Sequence, residues 1–76
     1  MMELEKIKEI VSGLMSRDVS EVTEHTRFFK DLGMDSLDVF QLVVEVEAYF
    51  GIDIAEGAIE RLATVGDAAE LVKSLA

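Results

Sequence analysis

Cysteine and proline are absent from this sequence, histidine occurs once, and only five residues are aromatic. Without cysteine there is no disulfide framework and no thiolate metal site, which agrees with a reducing compartment. Lysine and arginine together number only seven. So few cations disfavour phosphate backbones and anionic membrane surfaces, and neither nucleic acid nor membrane is expected as a partner. A long apolar run is also missing. The first residues, "MMELEKIKEIV", alternate charged with apolar side chains and lack the core of a signal peptide or membrane span. A soluble, cytoplasmic protein is the expectation.

Against these absences stand 16 acidic residues and a formal net charge of −9, in a chain of 76 residues of which half are apolar. A chain of this length buries only about 60% of its unfolded surface, so residues 1–76 are read as one small domain. A monomer is expected. Natural partners for such a charge are basic patches on other proteins, although the same charge also serves solubility.

Helical periodicity appears three times and strand alternation almost never. Leu4, Ile7, Val11 and Leu14 recur at spacings of three, four and three, predicting an amphipathic helix over about 3–15, closed by Gly13 and Ser16-Arg17-Asp18. Near the other end, Thr64 and Asp67 make a capping-box pair ahead of Val65, Ala68, Val72 and Leu75, predicting a helix to about residue 75. Between Asp35 and Gly51 lies the third pattern. Asp35 is placed to cap and Gly51 to terminate a helix beginning at Ser36. A short fourth helix is expected over about 56–62. The predicted fold is therefore all-α: a small bundle of three main helices and one short one, with a long loop between the first two.

That loop, residues 16–35, carries Val19, Val22, Phe28, Phe29, Leu32 and Met34, and so should pack on the core. The paired phenylalanines lack the basic groove that a nucleobase-stacking platform needs, so core packing is expected for both. The helix from Ser36 has two apolar sides. Val39, Leu42, Val43, Val46 and Phe50 form one stripe, and Leu37, Val44 and Ala48 line up on another. The second stripe is either a docking surface or buried between neighbouring helices.

The stretch "DLGMDSLD" sets Ser36 between Asp35 and Asp38 with no base at hand. A nucleophilic serine needs a base and a group to orient it. His25, the only candidate, is expected to be a solvated loop residue, no oxyanion motif is evident, and no window has EF-hand ligand spacing. No catalytic residue and no metal site are assigned.

Taken together, "FFKDLGMDSLDVFQLVVEVEAYFGIDI" and the later "TVGDAAELV" resemble the acyl carrier proteins. The similarity lies in an aspartate-serine-leucine triplet opening the second helix, a leucine-glycine pair before it, and a phenylalanine-ended acidic helix after it. The resemblance implies that a phosphopantetheinyl transferase joins the Ser36 hydroxyl to the 4'-phosphopantetheine of coenzyme A, supplying base and magnesium itself. The chain would then carry acyl groups as thioesters, without catalysis of its own, most simply for fatty-acid synthesis. By the same resemblance Asp35, Leu37, Asp38, Val44 and Glu47 dock acyl-processing enzymes through their basic patches. Phe28, Phe40, Val46, Ile54, Ile59 and Leu62 surround the acyl chain. Gln41, Ala48, Tyr49, Ala55, Gly57 and Ala58 stand where fatty-acid carriers often have acids or proline. That leaves a carrier for polyketide, aminoacyl or specialised lipid assembly as the nearest alternative, and an unmodified acidic helical adaptor as a more distant one.

Overall fold

The computed structural model describes residues 2–76 and contains, among them, four helices and no strand. Helix α1 spans Met2–Met15, α2 Ser36–Phe50, α3 Glu56–Ile59 and α4 Val65–Leu75, with one turn of 3₁₀-helix at Val19–Glu21. The principal axes measure 26 × 24 × 19 Å. Helix α1 packs against both α2 and α4, because its Ile7 and Val11 are completely buried on the face that the three-four spacing puts together. Val39, Leu42, Val43 and Val46 of α2 meet Val65, Ala68, Ala69 and Val72 of α4 in the same core.

The expected caps form. The Asp35 side chain accepts from the Asp38 backbone N–H at 2.9 Å, and Asp38 accepts in return from the Asp35 N–H at 3.1 Å. Thr64 and Asp67 make the same reciprocal pair at the start of α4. Left-handed Gly51, with φ 67°, ends α2 and allows its own N–H and that of Ile52 to share the Glu47 carbonyl.

Three expectations need correction. Gly13 lies inside α1, and it is Ser16, at φ 53°, that turns the chain out of the helix, with the Arg17 N–H returning to the Ser12 carbonyl. Helix α3 stops at Ile59, short of residue 62. Ala55 offers it no capping acceptor, and downstream the N–H groups of Arg61 and Leu62 reach back only three residues before Thr64 adopts the extended backbone that starts α4. In the long loop, Val22, Phe28, Leu32 and Met34 are buried as expected, but Val19 and Phe29 are exposed.

What holds that loop in place is the start of α4. The Phe28 N–H donates to the Ala63 carbonyl at 3.0 Å, while the Val65 and Gly66 N–H groups donate to the carbonyls of Thr26 and Glu24 at 2.9 and 2.8 Å. Orphan donors of a helix N-terminus thereby satisfy loop carbonyls that lie against the core. Gly66 permits the approach: a Cβ there would stand 2.8 Å from the Glu24 carbonyl oxygen, a backbone atom that cannot swing away. Gly66→Ala should therefore destabilise the fold by about 1–3 kcal/mol, the usual cost of overpacking, despite alanine's better helix propensity. Urea denaturation measures it, and an unchanged or raised midpoint would show that the loop yields freely.

Candidate functional site

Ser36 is the first residue of α2 and is exposed. Its hydroxyl has no hydrogen-bond partner among the described residues, and neither the Ser36 nor the Leu37 backbone N–H has an acceptor there, as expected for the first turn of a helix. Asp35 and Asp38 on either side each spend one carboxylate oxygen on the capping box. Ser36 is thus held rigidly by its neighbours while its own oxygen stays available. Ser12, by contrast, is buried and bonded to the Lys8 carbonyl at 2.7 Å.

Beside Ser36 opens a cleft of about 340 Å³ lined by Phe29, Val39, Phe40, Ile59 and Leu62, with Glu56 and Glu60 at its edge. No histidine, lysine or arginine lines it. His25 pairs instead with Glu24 at 3.4 Å in the exposed loop. The cleft can bind an apolar group, and the titratable side chains on it are the carboxylates of Glu56 and Glu60.

Of the residues expected around a cargo, the structure brings Phe40, Ile59 and Leu62 to this cleft. Val46 and Ile54, again with Leu62, line a separate small space of only about 10 Å³ between α2 and α4. Phe28 lines neither, since it is wholly buried in the core. Its neighbour Phe29, expected inside, takes a place on the cleft wall at 54% exposure. The reversal has a local cause. Arg27 and Asp31 clasp the turn between them, through the Arg27 backbone N–H at 2.9 Å and two guanidinium contacts at 3.3 Å, and Met34 N–H closes it on the Phe28 carbonyl. Phe28 points in and Phe29 is left outside. Sequence periodicity does not separate the two, because a loop has none.

The second apolar side of α2 is exposed. Leu37 and Val44 are 72% and 45% accessible, and Phe40, one turn from each, is 61% accessible, so an apolar strip leads from the Ser36 end along the helix. Asp35 is exposed beside it and Asp38 partly so. Glu47 differs. It is half-buried, and its Oε2 accepts from the Ile54 backbone N–H at 2.8 Å, tying the loop after α2 to the helix. The spacing of seven residues gave no signal for that contact.

Hydrogen bonds from the Arg27 side chain, then from its backbone N–H, hold the Asp31 carboxyl below its usual value of 3.8. The backbone N–H and then the hydroxyl of Ser20 lower Asp18 likewise. Both groups are exposed. A carboxyl with a depressed folded pKa contributes stability above its unfolded value and loses it as pH falls through the folded one, so these contacts add nothing pH-dependent near neutrality. Melting temperature should fall below about pH 4, and Asp31→Asn should make that acid limb shallower; equal limbs in the two proteins would mean that the clasp is absent in solution.

Comparison with known proteins agrees with this geometry. Residues 5–72 match the family described as "Phosphopantetheine attachment site". A solved structure described as "a putative acyl carrier protein" from Mycobacterium tuberculosis superposes with a TM-score of 0.89 at 32% identity, covering 95% of this chain and 96% of that one. An acyl carrier protein from Enterococcus faecalis gives 0.84 at 31% identity, over 99% and 95% of the two chains. The chain belongs to the acyl carrier protein family, whose members bear a covalent 4'-phosphopantetheine.

Proposed function

We propose that Ser36 is the attachment point of the arm and that this carrier serves fatty-acid synthesis. The observation that carries the reading is the unbonded, exposed Ser36 hydroxyl on the lip of the one cleft that also gathers Phe29, Phe40, Ile59 and Leu62. A phosphodiester at Ser36 suits the first turn of α2, where the free N–H groups of Ser36 and Leu37 and the positive end of the helix dipole favour an anion. The bound arm supplies a thiol on which acyl groups ride as thioesters. Asp35 and Asp38 fix the turn that presents the serine, and their outward oxygens, with Glu47, offer acceptors to a basic patch on the transferase and on acyl-processing enzymes. Leu37 and Val44 add apolar contact to the same docking surface.

The apolar cleft supports a fatty rather than a polar cargo. Each methylene moved into it from water contributes at most about 0.8 kcal/mol, a sizeable increment for a domain this small. Phe40, Ile59 and Leu62 belong to that cleft. Val46, Ile54 and Phe28 belong to the interior behind it.

Intact mass after incubation with coenzyme A and a broad-specificity phosphopantetheinyl transferase should rise by one phosphopantetheinyl unit, and Ser36→Ala should stay unmodified. Modification of that variant would move the site elsewhere. Refusal of the wild-type chain by the transferase would favour the unmodified adaptor. For the pathway, the loaded protein should accept a saturated acyl chain and be extended by a fatty-acid condensing enzyme; extension only by polyketide or aminoacyl enzymes would overturn that part.

A further inference from the structure

Two open clefts meet at Tyr49, near the end of α2 farthest from Ser36. One, of about 400 Å³, is lined by Lys6, Ile10, Glu45, Ala48 and Tyr49. The other, of about 430 Å³, is lined by Met2, Phe50 and again Lys6 and Tyr49, with Glu3, Glu5 and Glu9 around them. Tyr49 is 60% exposed and Met2 79%. The Tyr49 ring meets Phe50 edge to face, with centroids 4.9 Å apart and planes at 82°, and the Lys6 Nζ sits 4.4 Å from the Tyr49 centroid. We propose that this surface docks a basic segment of a partner protein, whose arginine takes the place over Tyr49 that Lys6 now holds.

The charges call for a cation, and the walls call for apolar side chains next to it. Four carboxylates, those of Glu3, Glu5, Glu9 and Glu45, line the two clefts against the single ammonium of Lys6. Of the four, only Glu5 is in an ion pair among the described residues, with Lys8 at 3.4 Å. The seat over the ring already accepts an ammonium, and a guanidinium suits it better because it stacks on an aromatic face and is more weakly hydrated. Release of Lys6 costs little, because Glu3 and Glu9 lie three residues before and after it on α1, where a helix brings side chains together. Met2, Ile10, Ala48 and Phe50 supply the apolar surface on either side. A second copy of this chain, itself at −9, is a poor occupant.

The position separates this surface from the Ser36 end. Tyr49 follows Ser36 by thirteen residues in α2, about 20 Å along the axis, and lies about 120° around the helix from Leu37. A partner seated on Tyr49 leaves Ser36 open, together with the strip of Leu37, Phe40 and Val44. The carrier can then be held by one protein while another works at Ser36. The docking surface itself does not depend on reading Ser36 as the attachment point; the simultaneous use of both ends rests on that reading.

The probe is a short blocked peptide carrying one arginine between leucines, titrated into the unmodified protein and followed by NMR. Resonances of Tyr49, Phe50, Lys6 and Ile10 should shift and saturate while those of Leu37 and Val44 stay in place, and the peptide with citrulline for arginine should not bind. Tyr49→Ala should weaken binding about two- to fivefold, the range of an exposed cation–π contact, and Tyr49→Phe should keep it. Lys6→Gln should tighten binding more than Lys73→Gln, which removes the same charge from α4 at a place lining neither cleft. Shifts centred on Leu37 and Val44, equal binding of the citrulline peptide, or indifference to Tyr49→Ala would overturn the proposal, as would equal gains from the two lysine variants.

For the simultaneous use of both ends, a phosphopantetheinyl transferase should load Ser36 at the same rate with and without saturating peptide. A rate that falls in the wild-type protein but not in Tyr49→Ala would mean that the two ends compete, and would overturn that part. Failure of the transferase to load the protein in the absence of peptide would be a failure of the attachment reading alone, and the titration would still decide Tyr49.

Discussion

Everything at the Ser36 end of the molecule depends on where a long, apolar-rich connection finds partners for its backbone. The segment between α1 and α2 buries Val22, Phe28, Leu32 and Met34, so its carbonyls and N–H groups lie close to a core that cannot hydrate them. The α4 N-terminus has the complementary deficit, with donors that no helix can use. Joining the two solves both problems at once. It buries Phe28 in the core and leaves Phe29 at the mouth of the cleft. The Ser36 end of the bundle is thus positioned from α4, far along the sequence.

The helices were legible in the sequence because each signal that defines them is local. Asp35 with Asp38, and Thr64 with Asp67, are three residues apart, and the stripes of α1, α2 and α4 repeat at helical spacing. The loop was legible only in part. Its burial followed from its apolar content, but the choice of Phe28 over Phe29 depends on the Arg27–Asp31 clasp and on Ala63, which lies 35 positions away in the chain. The same limit explains the cleft. Phe40, Ile59 and Leu62 come together at one cleft, whereas Val46 and Ile54 line another small space, a difference that arises from packing and that no spacing encodes. The second apolar side of α2 had two equally good readings from sequence, and the absence of any helix packed over Leu37 and Val44 decides for exposure.

The acidic character of the chain is distributed in two ways. Some carboxylates are committed within the fold: Asp35, Asp38 and Asp67 to caps, Asp31 to Arg27, Asp18 to Ser20. Others, such as Glu56 and Glu60 on the cleft, have no such engagement among the described residues and give the surface its sign. Exposed charges of this kind are screened over about 8–10 Å at physiological salt. Their effect on an approaching charge is therefore confined to close range.

Glu47 belongs to both groups, and its geometry bears on how firmly it can be read. A free surface glutamate samples several rotamers, and fixing them is a large part of why exposed ion pairs contribute so little. In this fold the Ile54 N–H has already selected the side-chain orientation, since Oε2 is taken at 2.8 Å. Loss of conformational freedom at Glu47 thus occurs during folding instead of at encounter. A cation approaching the remaining oxygen meets a preorganised acceptor, and the entropic penalty that weakens an ordinary surface contact is smaller at this position.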